Sequence, residues 1–168
     1  MAAAINNNLG SLLTNAYGTP PVANVAGADG PFLRGWAAYC AIPAVATDLA
    51  GSKYRFGTVH SSDVIYQLRF GSTALTAGAV SLGLYPSGPP GTSAATSAAL
   101  FATSVSFASA VAPTDNRYTN LALTTAGKRV WELLGLSSDP CVSYDVVGTS
   151  TTAATAAGTL FCDCLLAP

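Results

Sequence analysis

The stretch Asp63–Tyr85, DVIYQLRFGSTALTAGAVSLGLY, decides the fold. It holds two period-2 runs joined by a small-residue linker. In the first, Val64, Tyr66, Leu68 and Phe70 share one face, and Ile65, Gln67 and Arg69 share the other. In the second, Val80, Leu82 and Leu84 lie opposite Ser81, Gly83 and Tyr85. Successive side chains of a strand point to opposite sides of a sheet, so this alternation marks two half-buried strands.

Working outward, Tyr54, Phe56 and Thr58 alternate with Arg55 and Gly57, and Ser61-Ser62-Asp63 has turn composition. Tyr54–Phe70 therefore reads as a hairpin. Upstream, GWAAYCAI (35–42) reads as a short strand anchored by Trp36, which Pro43 ends or confines to a sheet edge. Downstream, PSGPPGTSAATSA (86–98) is a turn-rich surface loop. Val105, Phe107 and Val111 share a strand face, Pro113–Arg117 reads as a loop, and Tyr118–Leu123 as a short strand.

Thr124–Leu134 changes period. Val130, Leu133 and Leu134 fit one helical face beside Trp131, with Thr124 or Thr125 placed to cap the start and Gly135 to end it. Gly127 keeps this helix short. Val142, Tyr144 and Val146 then face inward, 148–158 is a small-residue connector, and Leu160, Cys162, Cys164 and Leu166 form the inward face of the last strand. Seven or eight short strands with one helical insertion predict an all-β antiparallel sandwich, jelly-roll-like, spanning 34–168.

Residues 1–33 differ from the rest. They are rich in Asn, Ala, Gly and Pro, yet Ile5, Leu9, Leu12 and Leu13 fall at helical spacing. A disordered tail would leave these side chains in water. An extended N-terminal arm that orders on a partner gives them a home, so Ile5, Leu9, Leu12, Leu13 and Tyr17 are the expected partner contacts.

Composition narrows the function classes. Half the residues are hydrophobic and only 9% are charged, against about a quarter in ordinary soluble chains. So few charges protect poorly against association, and a surface covered by other subunits is expected. The net charge is −1 with seven scattered basic residues, which gives no footprint for nucleic acid or an anionic membrane. The N-terminus lacks the basic and apolar regions of a signal peptide, and no run of about 20 apolar residues occurs. Four cysteines without a secretory signal are expected to be free thiols, made in a reducing cytoplasm.

No motif carries an activity. Cys162-x-Cys164 lacks the second cluster that zinc requires and aligns with Leu160 and Leu166, so it reads as core, with no metal or cofactor expected. His60 sits beside Ser61, Ser62 and Asp63, but residues adjacent in a tight turn are not expected to point at one another as a triad must. Gly127-Lys128 lacks the rest of a phosphate loop. Glu132 is the lone glutamate, and the seven aspartates are dispersed. Tyr17, Trp36 and Tyr85 could stack on sugars, though anchoring is the more ordinary use of such rings. No catalytic residue is assigned, and a hydrolase ranks last among the readings.

The segments TALTAGAVSLGLY (73–85), ALFATSVSF (99–107), KRVWELLGLSSDP (128–140) and YDVVGTSTTAATAAGTL (144–160) together resemble small structural proteins of tailed bacteriophages. The likeness covers roughly Tyr54–Leu166, two thirds of the chain, and leaves out the N-terminal third. It implies a virion component on the capsid exterior: a head decoration, or cement, protein that forms trimers and binds the major capsid protein. The competing expectation is a tail or fibre sandwich module that binds host-surface glycans.

Overall fold

The computed structural model describes residues 33–42, 50–88 and 95–168, and in them the alternation becomes eight strands. These are β1 (Arg34–Ile42), β2 (Lys53–His60), β3 (Val64–Ser72), β4 (Ala79–Pro86), β5 (Ser97–Ser106), β6 (Val111–Asp115), β7 (Ser143–Thr152) and β8 (Gly158–Ala167). They form two four-stranded sheets, ordered β1-β8-β3-β6 and β2-β7-β4-β5, with antiparallel pairing throughout. The sheets pack face to face, and this order of eight strands is that of a jelly roll. The all-β sandwich expected from the sequence is the fold.

The core lies between the sheets. Leu160, Cys162, Cys164 and Leu166 of β8 are all buried, as their spacing predicts. They belong to one buried cluster with Val80, Leu82 and Leu84 of β4. Phe70 links the sheets through an edge-on contact with Phe56 (ring centroids 5.8 Å, 72°) and a tilted one with Phe107 (5.6 Å). Such aromatic pairs contribute about 0.5–1.5 kcal/mol beyond their buried area.

Several expectations are corrected. Tyr54–Phe70 is not a hairpin: β2 and β3 lie in different sheets, and the turn at 61–63 carries the chain from one to the other. Period two identifies a strand but not the sheet it joins. Within β3 the face assignment fails at its start. A bulge between Ile65 and Gln67 in the pairing with β8 advances the phase by one residue. Ile65 is therefore buried with Leu68 and Phe70, Tyr66 turns outward at 53% exposure, and Val64 is only half-buried.

Pro113 lies within β6, which is an edge strand and so tolerates the missing amide. Tyr118–Leu123 is a run of turns rather than a strand, and Val142 is exposed. The supposed connector at 148–158 contains the end of β7. The expected helix is split by Gly127, whose φ is +76°, into a 3-10 turn (Leu123–Thr125) and a single α-helical turn, α1 (Val130–Leu133). The cap is not a threonine. Glu132 accepts the Arg129 amide (2.8 Å), and the Val130 and Trp131 amides donate to the carbonyls of Asp63 (2.9 Å) and Ser61 (3.0 Å). Gly135 does end the helix, with φ at +72°.

Candidate functional site

The turn joining the sheets builds one cleft among the described residues. Asp63 is buried, accepts the His60 amide (2.7 Å) and pairs with Arg34 at the start of β1. The cleft beside this turn, about 610 Å3, is lined by Arg34, Thr58, His60, Ser62, Ser143 and Pro168, among others. Contrary to the sequence expectation, Ser62 and His60 do meet: His60 Nδ1 lies 2.9 Å from Ser62 Oγ. The Ser62 amide also approaches Nδ1 (3.4 Å), so the ring closes its own turn. One Asp63 oxygen takes the His60 amide and the other takes Arg34, and neither is bonded to the imidazole. The relay of a hydrolytic triad is therefore not assembled here.

The described aspartates tie the structure together rather than pairing as acids. Asp145 holds Arg55, Thr58 (3.0 Å) and Ser87 (2.7 Å). Asp163 holds Arg69, and Asp115 accepts the amides of Leu68 (3.2 Å) and Arg117 (2.9 Å). Asp139 accepts Ser61 Oγ and the Cys141 amide (2.9 Å), which hold its carboxyl below the usual range.

Cys162 and Cys164 face the core, and burial pushes both thiols well up; burial also raises Cys40. Among the described residues no group of three or more His, Cys, Asp or Glu side chains is arranged to hold a metal ion. Among the described residues no helix is long and apolar enough to cross a membrane.

A second cleft, about 330 Å3, lies on the outer face of the β1-β8-β3-β6 sheet. Tyr39 of β1, 57% exposed, sits opposite Phe161 of β8, with ring centroids 5.2 Å apart and planes tilted by 46°. Phe161 in turn faces Gly71 of β3. Val111 and Pro113 form the far wall, and Ser72, Thr73 and Thr159 complete the lining.

The proposed partner residues Ile5, Leu9, Leu12, Leu13 and Tyr17 lie outside the described residues. Of the other aromatics considered for sugar stacking, Trp36 packs against the core, and Tyr85 is buried with its hydroxyl 2.7 Å from Thr149 Oγ1. Among the described residues the exposed rings are Tyr39 and Tyr66. Tyr39 was identifiable in principle, because it alternates with the inward positions Ala38 and Cys40. Its meeting with Phe161 depends on the register of two strands distant in sequence. Compared with protein-family models, curated proteins and solved structures, the chain matches none of them.

Proposed function

We propose that the chain is a virion structural protein, a head decoration protein that docks on the major capsid protein as a trimer and stabilises the particle. The observation that carries this reading is the outer edge of β1, which no described strand pairs. Three of the four edge strands are blunted. The β6 strand has five residues and contains Pro113, β2 carries Lys53, Arg55 and a bulge, and β5 follows β4 through two register shifts. In contrast, β1 runs nine residues in unbroken register with β8 and is uncharged from Gly35 to Ile42. A long, regular, uncharged edge is a template for strand addition by another chain, and isolated proteins usually guard against it.

The phage-like segments, the jelly-roll order found in viral capsid and lectin domains, and the 9% charge content support the same reading. Residues 1–33 precede β1 in the sequence, so their apolar side chains and this edge would serve one attachment surface. The test is co-sedimentation with capsids of the virus that encodes the chain. Wild type should pellet with particles. Ala41→Lys, which sets a charge on the exposed end of β1, should bind at least about tenfold more weakly at an unchanged Tm. Wild type left in the supernatant would refute the proposal.

A further inference from the structure

The outer face of the first sheet carries side chains that the fold does not need. On β1, Trp36, Ala38 and Cys40 pack against the core, so Tyr39 points outward. On β8, Phe161 and Asp163 alternate with the buried Leu160, Cys162 and Cys164. On β3, Arg69 and Gly71 alternate with the buried Leu68 and Phe70. Register aligns these into two rows. Tyr39, Phe161 and Gly71 form one, and Ala37, Asp163 and Arg69 form the next. The first row floors the 330 Å3 cleft, a volume at the lower end of the roughly 300–1,000 Å3 typical of small-molecule sites.

Gly71 is fixed by β6, since a Cβ there would lie 2.8 Å from the Val111 carbonyl oxygen and 2.9 Å from the Pro113 nitrogen. The floor between the rings and the far wall is therefore bare backbone.

The chemistry of the cleft selects a neutral, amphiphilic ligand. Among the described residues its lining holds the rings of Tyr39 and Phe161 and the hydroxyls of Ser72, Thr73 and Thr159, and no charged group. Thr73 Oγ1 accepts the Thr159 amide (2.8 Å), which leaves its own proton to donate. In the adjoining row Arg69 is neutralised by Asp163, so no spare cation is present for an anion. The Asp163 carboxylate has about four acceptor sites and gives only part of them to Arg69. A pyranose matches each feature. Its C–H face carries the partial positive charge that an aromatic face attracts, and its rim of hydroxyls donates to carboxylates and exchanges bonds with threonines.

The geometry points to a carbohydrate subsite in which a neutral pyranose unit of a glycan stacks on Tyr39 and Phe161, with its hydroxyls reaching Thr73, Thr159 and Asp163. This subsite does not depend on the decoration reading, because strand addition at the β1 edge extends the sheet and leaves its outer face open.

The test is saturation-transfer NMR with methyl glucoside, methyl galactoside, methyl mannoside, methyl rhamnoside and N-acetylglucosamine, each titrated into the full chain. At least one probe should show saturable transfer, strongest from the C–H protons of one sugar face. Tyr39→Ala should weaken it by about tenfold or more. Tyr66→Ala, which removes an exposed ring outside the cleft, should leave it unchanged. If Tyr39→Ala melts early, Tyr39→Leu, which keeps apolar cover without a ring, is read in its place and should show the same loss. The inference fails if no probe saturates, or if binding survives loss of the Tyr39 ring. It fails equally if sedimentation shows a self-association abolished by Tyr39→Ala, which would mean that a second copy occupies the cleft.

Discussion

The indole of Trp36 packs on Gly57, so closely that a Cβ on Gly57 would lie 2.5 Å from Trp36 Cδ2 and 2.6 Å from Cε2. This contact joins β1 of one sheet to β2 of the other, at the position where β2 is bulged against β7. Gly57→Ala should destabilise the protein by about 1–3 kcal/mol, the usual cost of overpacking a filled site. Urea unfolding checks this. If the variant matches wild type in midpoint and slope, the indole is free to move and does not pin the sheets together.

Arg117 is fully buried. Its Nε donates to the Ile65 carbonyl at the β3 bulge, one Nη donates to the Thr125 carbonyl (3.1 Å), and its guanidinium lies 4.5 Å from the Tyr118 ring centroid. Burial lowers its pKa. Arg117→Ala would orphan two carbonyls, each costing on the order of 1–3 kcal/mol when buried. The expected result is one of the largest losses for any single substitution in the sandwich, read by thermal melting. A change in Tm of only a degree or two would contradict the bridging role.

Asp139 sets an acid limit. Its carboxyl is held below its ordinary value of 3.8, first by the Ser61 hydroxyl and then by the Cys141 amide. A group with a depressed folded pKa contributes stability above the unfolded value and loses it as pH falls through the folded one. Stability should therefore drop below about pH 4, and Asp139→Asn should flatten that part of the profile. Identical acid limbs for variant and wild type would show that other carboxylates govern acid unfolding.

The thiols should divide sharply. Cys162 and Cys164 are buried with raised pKa values, which suppress the reactive thiolate, whereas Cys141 is exposed. Iodoacetamide at neutral pH should label Cys141 in the native protein, and Cys162 and Cys164 only after unfolding. Rapid native labelling at Cys162 would mean that the β8 face opens.

The parts of this fold legible in the sequence were those where alternation is unbroken. Leu160–Leu166 could be read because β8 runs without interruption beside β1. The start of β3 could not, because Ile65 and Tyr66 are both apolar and nothing local marks the bulge that reverses them. The switch of sheets at 61–63 was hidden for another reason. The Asp63, Ser61 and α1 contacts that build this turn join residues far apart in the chain. The Tyr39–Phe161 cleft was hidden similarly, since each ring alone looks like an ordinary strand aromatic until register sets them together.

The central claim is that the protein decorates a capsid. On the proposal that a phage encodes the chain, the most direct measurement is a reconstruction of that phage's virion, with and without the protein. The account predicts density for a two-sheet jelly roll on the outer capsid surface, continuous at β1 with a strand from a neighbouring chain, and absent from particles made without the gene. Purified virions that lack the protein altogether, while infected cells contain it free, would contradict the account.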